Sequence, residues 1–310
     1  MKTKFPTHVF FSKSRKFFPF HRTSGAGFWL GIVPLLWVLV LFVLPLLIVL
    51  KVSFAESVFA IPPFSEIISF TGEYFLELKL NLGNYAALLH DTYYTSAFIN
   101  STLLAVTATV ICFLLGFPMA YGIHNSSKNL KLLLLLLLSL SFWTSFLIRI
   151  YAWMNLLSCN GLLNSALLKL GIIDAPLQLL GTYSTVCLGL VFCYLPFMVF
   201  PVYAVLEKVD RSYIEAAHDL GCPPTKAFWT ITIPLSKSGI LTGGILVFAT
   251  SIGEFTVPEL LGDAETITFG RVLWNEFFSN LDWTMACALS IAMMICVVLP
   301  VFLLQRRARI

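Results

Sequence analysis

The feature that most constrains this chain is a set of six long apolar segments that carry almost no charge. The first has 23 residues without a charged side chain, and about 20 apolar residues in a helix cross a hydrocarbon core of roughly 30 Å. Only 12% of the residues are charged, whereas about a quarter are charged in soluble domains. The sequence therefore predicts an all-α membrane protein with six transmembrane helices, over residues 28–50, 97–123, 132–157, 183–206, 239–257 and 284–304.

The segment before the first span, residues 1–27, holds six basic residues and no acidic one. A basic lead followed by an apolar segment is also typical of a signal peptide. Here the apolar segment is too long for one, and no small-x-small cleavage site follows it. We therefore expect an uncleaved first span, followed by a long hydrophilic loop over residues 51–96.

Lysine and arginine are distributed unevenly between the two sides that six spans would create. Four of these residues lie in segments 51–96, 158–182 and 258–283, whereas fifteen lie in segments 1–27, 124–131, 207–238 and 305–310. Basic residues concentrate on the cytoplasmic side of membrane proteins. This bias predicts that both termini and the segment 207–238 are cytoplasmic, and that the loop 51–96 is periplasmic.

The segment 207–238 is the longest polar stretch predicted to face the cytoplasm, and it has the pattern of two short helices set at an angle. Gly221 can take the left-handed conformation in which many helices end. The two prolines that follow are tolerated at the first turn of the next helix. We expect Pro234 to stop that second helix. Phe228 and Trp229, which are apolar residues in a polar segment, predict a surface that another protein covers.

In this segment Glu215-Ala-Ala is followed after three residues by Gly221 and, after nine more, by Ile231-Thr-Ile-Pro234. This spacing resembles the EAA loop in the permease subunits of bacterial ATP-driven importers. One position departs from the usual pattern, because Ile233 stands where the family has leucine. The resemblance implies the type I ABC importer (MetI-like) permease fold, with residues 97–304 as its shared core. It also implies that the loop inserts into a groove of an ATPase subunit. The residues that match the loop are Glu215, Ala216, Ala217, Gly221 and Pro234.

No sequence motif in the chain indicates a nucleotide-binding site or a catalytic site. It has no Gly-x-x-x-x-Gly-Lys-Ser/Thr phosphate loop, no plausible catalytic set and no metal-ligand spacing among its dispersed cysteines and histidines. We therefore expect no catalytic residues, no metal and no cofactor on this chain, with ATP and Mg²⁺ bound by a partner ATPase. The expected partners are a homologous second permease, two ATPase subunits, a periplasmic binding protein and the lipid bilayer, with no nucleic acid.

Two charged residues fall inside the predicted spans, and charges there are rare and usually functional. Arg149 and Glu254 lie about one helical turn apart in depth, so a structural ion pair is one interpretation. The other is a path for an organic cation, because carboxylates and aromatic faces bind ammonium groups. Aromatic residues near a membrane boundary are more often interfacial anchors. The further candidates for the path are Trp143, Tyr151, Trp153 and Glu259.

Five segments spread over nearly the whole chain match a second family: 81–85, 142–153, 195–198, 253–262 and 270–278. They resemble the polyamine (putrescine/spermidine) importer permeases. The resemblance implies a multi-pass subunit of the bacterial inner membrane that works with a polyamine-binding protein. The alternative is an importer permease for another substrate, such as iron or an inorganic anion, although an anion fits the acidic last outer loop poorly.

Overall fold

The computed structural model describes residues 25–58, 60, 62–65, 68–70, 76–78, 81–210, 212–263 and 266–308. Most of the predicted basic tail and the last two residues lie outside these ranges. The described chain is helical apart from one short antiparallel pair of strands, β1 (Ile68–Phe70) and β2 (Leu76–Leu78). This pair lies in the predicted periplasmic loop and is a small departure from the all-α prediction. Contacts divide the chain into residues 1–48 and 49–310.

The first predicted span is one helical stretch. Helix α1 (Gly25–Val38) passes through a π-helical turn (Leu39–Val43) into α2 (Leu44–Ser53). Residues Gly31–Ser53 are long and apolar enough to cross a membrane. The whole helical stretch, residues 25–53, contains the predicted span 28–50 and extends beyond it at both ends.

Three long helices form the centre of residues 49–310: α4 (Thr92–Asn125), α8 (Tyr183–Leu206) and α12 (Lys237–Ile252). Asp91 starts α4 by accepting a hydrogen bond from the Tyr93 backbone N–H at 2.9 Å, which satisfies a donor that the helix leaves free. The contact surfaces between the three helices are apolar and fully buried. They include Leu104, Ala108, Val199, Val202 and Val247.

Seven further helices in the described chain surround this centre. Some of them begin after a polar residue or glycine, as α5 does after Ser127 and α7 after Gly161. A π-helical turn at Asn275–Ser279 follows α14. The bounds of these helices are α3 (Gly83–His90), α5 (Lys128–Trp143), α6 (Phe146–Leu157), α7 (Leu162–Lys169), α13 (Thr256–Leu261), α14 (Phe269–Trp274) and α15 (Trp283–Ala308).

Five helical stretches are long and apolar enough to cross a membrane, and a sixth is counted if a bent pair is one span. This agrees with six predicted spans, but the third is placed differently. The predicted span 132–157 falls on two helices, α5 and α6, because Thr144 and Ser145 between them are not helical. The stretch Phe146–Lys169 is long and apolar enough to cross a membrane, and it consists of α6 and α7 with a break at residues 158–161. Helix α5 alone has 16 residues, which is short for a hydrocarbon core of roughly 30 Å.

The fifth predicted span, 239–257, also differs from the structure. Helix α12 ends at Ile252, and residues 253–255 separate it from α13. At its other end, α12 follows the helical segment Pro224–Leu235 with a bend of 62°. The sixth span matches its prediction closely, since α15 begins one residue before the predicted start at 284.

Close approach between α12 and α8 depends on glycine. A β-carbon added at Gly243 would lie 2.8 Å from Met198 Sδ and 3.1 Å from the Met198 Cα and carbonyl oxygen. At Gly239 it would lie 2.8 Å from the Pro201 carbonyl oxygen. These distances are shorter than van der Waals contact, so only glycine lets the two backbones meet here.

Candidate functional site

The candidate segment predicted to face the cytoplasm contains α9 (Ser212–Asp219), which carries Glu215, Ala216 and Ala217. The helix ends as predicted, because Gly221 has φ +76°. The Gly221 N–H donates to the His218 carbonyl oxygen at 2.8 Å, and the Cys222 N–H donates to the Ala217 carbonyl oxygen at 2.9 Å. This is the Schellman arrangement, in which a left-handed residue lets two backbone donors satisfy the last carbonyls of a helix.

The second half of the segment is a single bent helical stretch: α10 (Pro224–Ala227), a π-helical turn (Phe228–Thr232) and α11 (Ile233–Leu235). The stretch ends at Leu235, one residue after Pro234, which agrees with the prediction that the helix stops there. The chain then bends at Ser236 and continues as α12.

The two aromatic residues predicted to form a docking surface have different surroundings. Phe228 packs edge-on against Phe117, at 5.8 Å between ring centroids, and against Tyr121 at 5.2 Å. It therefore joins the segment to α4, and because the side chain is only half-buried, its part in the docking surface stays a prediction. Trp229 is 69% exposed, Tyr213 58% and Leu220 88%. Together with Leu235, which is 43% exposed, these three residues are the large exposed apolar side chains in the described part of the segment.

An ionic cluster lies at the adjoining ends of α4, α5 and α8, and the sequence analysis did not identify it. Lys131 Nζ donates to Glu207 Oε2 at 2.9 Å and to Oε1 at 3.1 Å, and His124 Nδ1 lies 3.2 Å from Oε2. The hydrogen bond from Lys131 lowers the pKa of Glu207 below its usual value. Exposed ion pairs contribute little to stability, so the cluster serves mainly to order these three helix ends beside the segment.

The second candidate region centres on Glu254, which lies in the break between α12 and α13. Its Oε1 accepts from the backbone N–H groups of Thr256, at 2.9 Å, and Val257, at 3.4 Å. These donors are free because they begin a helix. Tyr194 of α8 donates its hydroxyl to Oε2. Glu254 therefore ties the start of α13 to α8, a role that its sequence neighbours did not reveal.

Arg149 lies near Glu254 but does not pair with it. Arg149 Nη1 donates to Ser141 Oγ at 2.8 Å, across the break between α5 and α6. Its guanidinium carbon stands 5.8 Å from the centre of the Phe146 ring, and its Nε is buried without a hydrogen-bond partner. Among the described residues, ion pairs involve Glu207 and Glu259 but not Glu254. The structural ion pair that the sequence left open is thus not formed in this structure.

Both charged residues line one cavity of about 320 Å³. Its walls bring together α5, α6, α8 and the break after α12. Four of the lining residues are aromatic, and their rings pack against one another at 5.4 to 6.4 Å between centroids. The guanidinium over Phe146 shows that these ring faces accept a cation. The aromatic residues are Phe142, Phe146, Tyr194 and Phe197.

The remaining candidates for the substrate path do not line this cavity. Trp143 is 86% exposed, and Tyr151 is also exposed. Trp153 packs against Phe192 at 5.0 Å between ring centroids. Glu259 accepts from Arg271 Nε at 2.7 Å. The described residues contain no cluster of three or more histidine, cysteine, aspartate or glutamate side chains placed to hold a metal ion.

Comparison with known proteins places this architecture in a family. The profile of the family described as "Binding-protein-dependent transport system inner membrane component" matches residues 23–309. The chain belongs to this family. As a member it is a multi-pass subunit of the inner membrane and a transport component, not an enzyme.

Two relatives and one solved structure illustrate the similarity. The "Spermidine/putrescine transport system permease protein PotB" of Salmonella typhimurium (strain SL1344) is 39% identical over 236 residues, covering 76% of this chain and 82% of the relative. PotB of Haemophilus influenzae is 34% identical over 270 residues, covering 87% and 90%. A crystal structure of a bacterial alginate ABC transporter, in complex with an alginate pentasaccharide-bound periplasmic protein, has a chain that matches with a TM-score of 0.68 at 15% identity, covering 90% and 92%. This likeness confirms the predicted importer permease fold.

Proposed function

We propose that this permease is the membrane subunit of an ATP-driven importer for polyamines, putrescine or spermidine. The observation that carries the proposal is the 39% identity to a permease named for spermidine and putrescine, over most of both chains. The cavity at Glu254 supports it, because a carboxylate and aromatic faces together suit an alkylammonium ion.

Within this function, Glu254 and Arg149 mark the substrate path. Their charges are opposite, so Glu254 and the ring faces attract a passing ammonium group while Arg149 keeps that attraction moderate. Transport needs binding that is favourable enough for entry and weak enough for release. Trp143, Tyr151 and Glu259 contribute less in this proposal, because they do not line the cavity.

The importer contains further subunits in this proposal: a homologous second permease, two ATPase subunits that bind ATP and Mg²⁺, and a periplasmic polyamine-binding protein. The segment from Glu215 to Pro234 docks on the ATPase. Trp229 and its exposed neighbours support this role, because an apolar surface of this kind otherwise stays uncovered. Both termini and this segment face the cytoplasm, where ATP is available.

Uptake by the assembled importer tests the function directly. The permease, with its partner subunits and binding protein, is reconstituted in vesicles, and ATP-dependent accumulation of radiolabelled putrescine and spermidine is measured. We expect saturable uptake that unlabelled polyamine suppresses and that iron or molybdate leaves unchanged. ATP-dependent accumulation of labelled iron or molybdate, with no polyamine uptake, would instead favour an importer for that substrate.

A further inference from the structure

A second cavity, of about 590 Å³, lies outside the region described above. One wall is the loop after α2, with Ser57 and Pro63, and the other includes the turn before α15. Both segments are on the predicted periplasmic side, whereas the Glu254 cavity lies among the spans. Tyr94 at the start of α4 and Glu276 in the π-helical turn after α14 also line it.

The feature that points to a ligand is the unpaired charge of Glu276. This residue is only 7% exposed although it lines the cavity. Tyr94 Oη donates to its Oε1 at 2.9 Å, and Asn280 Nδ2 donates to its Oε2 at 2.9 Å. Both donors are neutral, and Glu276 has no ion-pair partner among the described residues. A buried carboxylate without a cation is costly, because removal from water penalises its charge.

The backbone beside Glu276 is also unusual. Leu281 has φ +54°, a conformation that residues other than glycine seldom adopt and that costs energy to maintain. It lies between Asn280 and Asp282, and all three line the cavity. The Asp282 Oδ1 accepts from the Met285 N–H at 3.0 Å, so this second carboxylate is fixed at the start of α15.

The donors around Glu276 favour an ammonium ion over a metal ion. A carboxylate has about four acceptor positions, and Tyr94 and Asn280 occupy two of the four at Glu276. The remaining positions suit the three N–H donors of an ammonium group. A metal ion needs several oxygen ligands, and the described residues around Glu276 do not supply such a set. The Tyr94 ring adds an aromatic face, and Pro63 an apolar wall for a methylene chain.

We propose that this cavity is a second amine subsite, in which the Glu276 carboxylate receives one ammonium group of the substrate on the periplasmic side. The inference rests on the proposed polyamine function and adds a position before the Glu254 cavity on the same path. The class of ligand is an alkylamine with a primary ammonium group.

The first test measures putrescine uptake by the complete importer with Glu276→Gln. This change keeps the shape of the side chain and removes its charge. Because a hydrogen bond to a charged group is lost, we expect the KM for putrescine to rise about tenfold, with the maximal rate and the amount of assembled complex retained. Asp174→Asn is the matched control, since Asp174 is an exposed carboxylate on the predicted outer side that lies away from the cavity. Its KM should equal that of the unmodified importer.

The second test does not depend on how well Glu276→Gln folds. Ser57 is exposed at the cavity and is replaced by cysteine, in a chain whose exposed Cys159 is replaced by serine. In right-side-out vesicles, an impermeant cationic thiol reagent should label Ser57→Cys at least tenfold faster than an anionic one, and saturating putrescine should slow labelling. Asp174→Cys in the same background should show neither effect.

The outcomes separate the subsite from the proposed function. If the unmodified importer takes up putrescine while Glu276→Gln leaves KM unchanged, the subsite is refuted and the function stands. Absence of putrescine protection at Ser57→Cys refutes the subsite in the same way. If the unmodified importer does not transport polyamines at all, the proposed function fails.

Discussion

At the scale of single residues, Glu254 shows how a membrane carboxylate is accommodated without a cation. Three donors from two elements hold it: two backbone N–H groups of α13 and the Tyr194 hydroxyl. A carboxylate with this many hydrogen bonds keeps its charge at lower cost. One acceptor position remains for a substrate amine, so the structural contact with Tyr194 and the proposed transport role are compatible.

Replacement of Glu254 by glutamine tests this role. The amide keeps an oxygen for the Thr256 and Val257 donors, and we expect the amount of folded complex to stay near normal. Polyamine uptake should fall at least tenfold, because the charge that attracts an ammonium ion is lost. Glu259→Gln is the control, since Glu259 pairs with Arg271 outside the cavity, and its uptake should stay near normal.

Two results would contradict this assignment. Full uptake by Glu254→Gln would show that the charge is not needed. Recovery of folding and uptake in the exchange variant, Glu254→Arg with Arg149→Glu, would show that the two residues pair in another state of the transport cycle. In that case Glu254 has a structural role and does not bind substrate.

Gly221 provides a second test at this scale. Its φ of +76° is a conformation that costs a residue with a β-carbon roughly 1–2 kcal/mol, although the space around it is open. Gly221→Val should therefore disturb the end of α9, weaken ATPase docking and abolish uptake, as measured by co-purification of the ATPase and by transport. The permease itself should still insert.

The control for Gly221 is Gly171→Val. Gly171 also has positive φ, +66°, and open space for a β-carbon, but it lies on the predicted outer side. It should carry a similar backbone penalty and retain ATPase docking. Equal loss of docking in both variants would mean that general destabilisation, and not the segment, is responsible.

At the scale of elements, α12 connects the two candidate regions. It leaves the cytoplasmic segment through a bend of 62° and ends at Ile252, beside Glu254. We propose that α12 carries a movement of the segment to the break that Glu254 ties to α8, past its close contact with α8 at Gly243.

A pair of adjacent glycines tests the importance of this contact. At Gly243 a β-carbon meets the Met198 backbone, so Gly243→Ala should destabilise the permease by about 1–3 kcal/mol through overpacking. At Gly244 the nearest atom, Thr109 Cγ2, is 3.8 Å away, so Gly244→Ala should be tolerated. Thermal unfolding in detergent measures both, and equal stability of the two variants would show that α12 and α8 separate easily.

At the scale of the whole molecule, the orientation in the membrane remains a prediction from charge. Fifteen basic residues on one side and four on the other place both termini inside. A reporter fused after Ile310 should read as cytoplasmic, and reporters fused at Glu56 or Asp174 as periplasmic. A cytoplasmic signal at either of the latter positions would overturn the six-span arrangement.

The sequence by itself determined the helical class, the approximate number of spans and the helix end at Gly221. These features depend on information that is local in the chain. The summed hydropathy of about 20 consecutive residues indicates a membrane span. Gly221, followed closely by two prolines, indicates the end of a helix. The polyamine resemblance was likewise carried by short contiguous segments.

Only the tertiary structure decided where helices break and what the charged residues contact. The break that holds Glu254 depends on Tyr194, 60 residues earlier in the chain, and the surroundings of Phe228 depend on Phe117 in another helix. Hydropathy does not identify such partners, because they are distant in sequence. It also does not locate the break at Thr144 and Ser145, because two residues change the mean hydropathy of a span very little. Counting residues was enough to predict that Arg149 and Glu254 lie at similar depth. It could not predict that each has its own hydrogen-bond partners, because these depend on how four elements pack around one cavity.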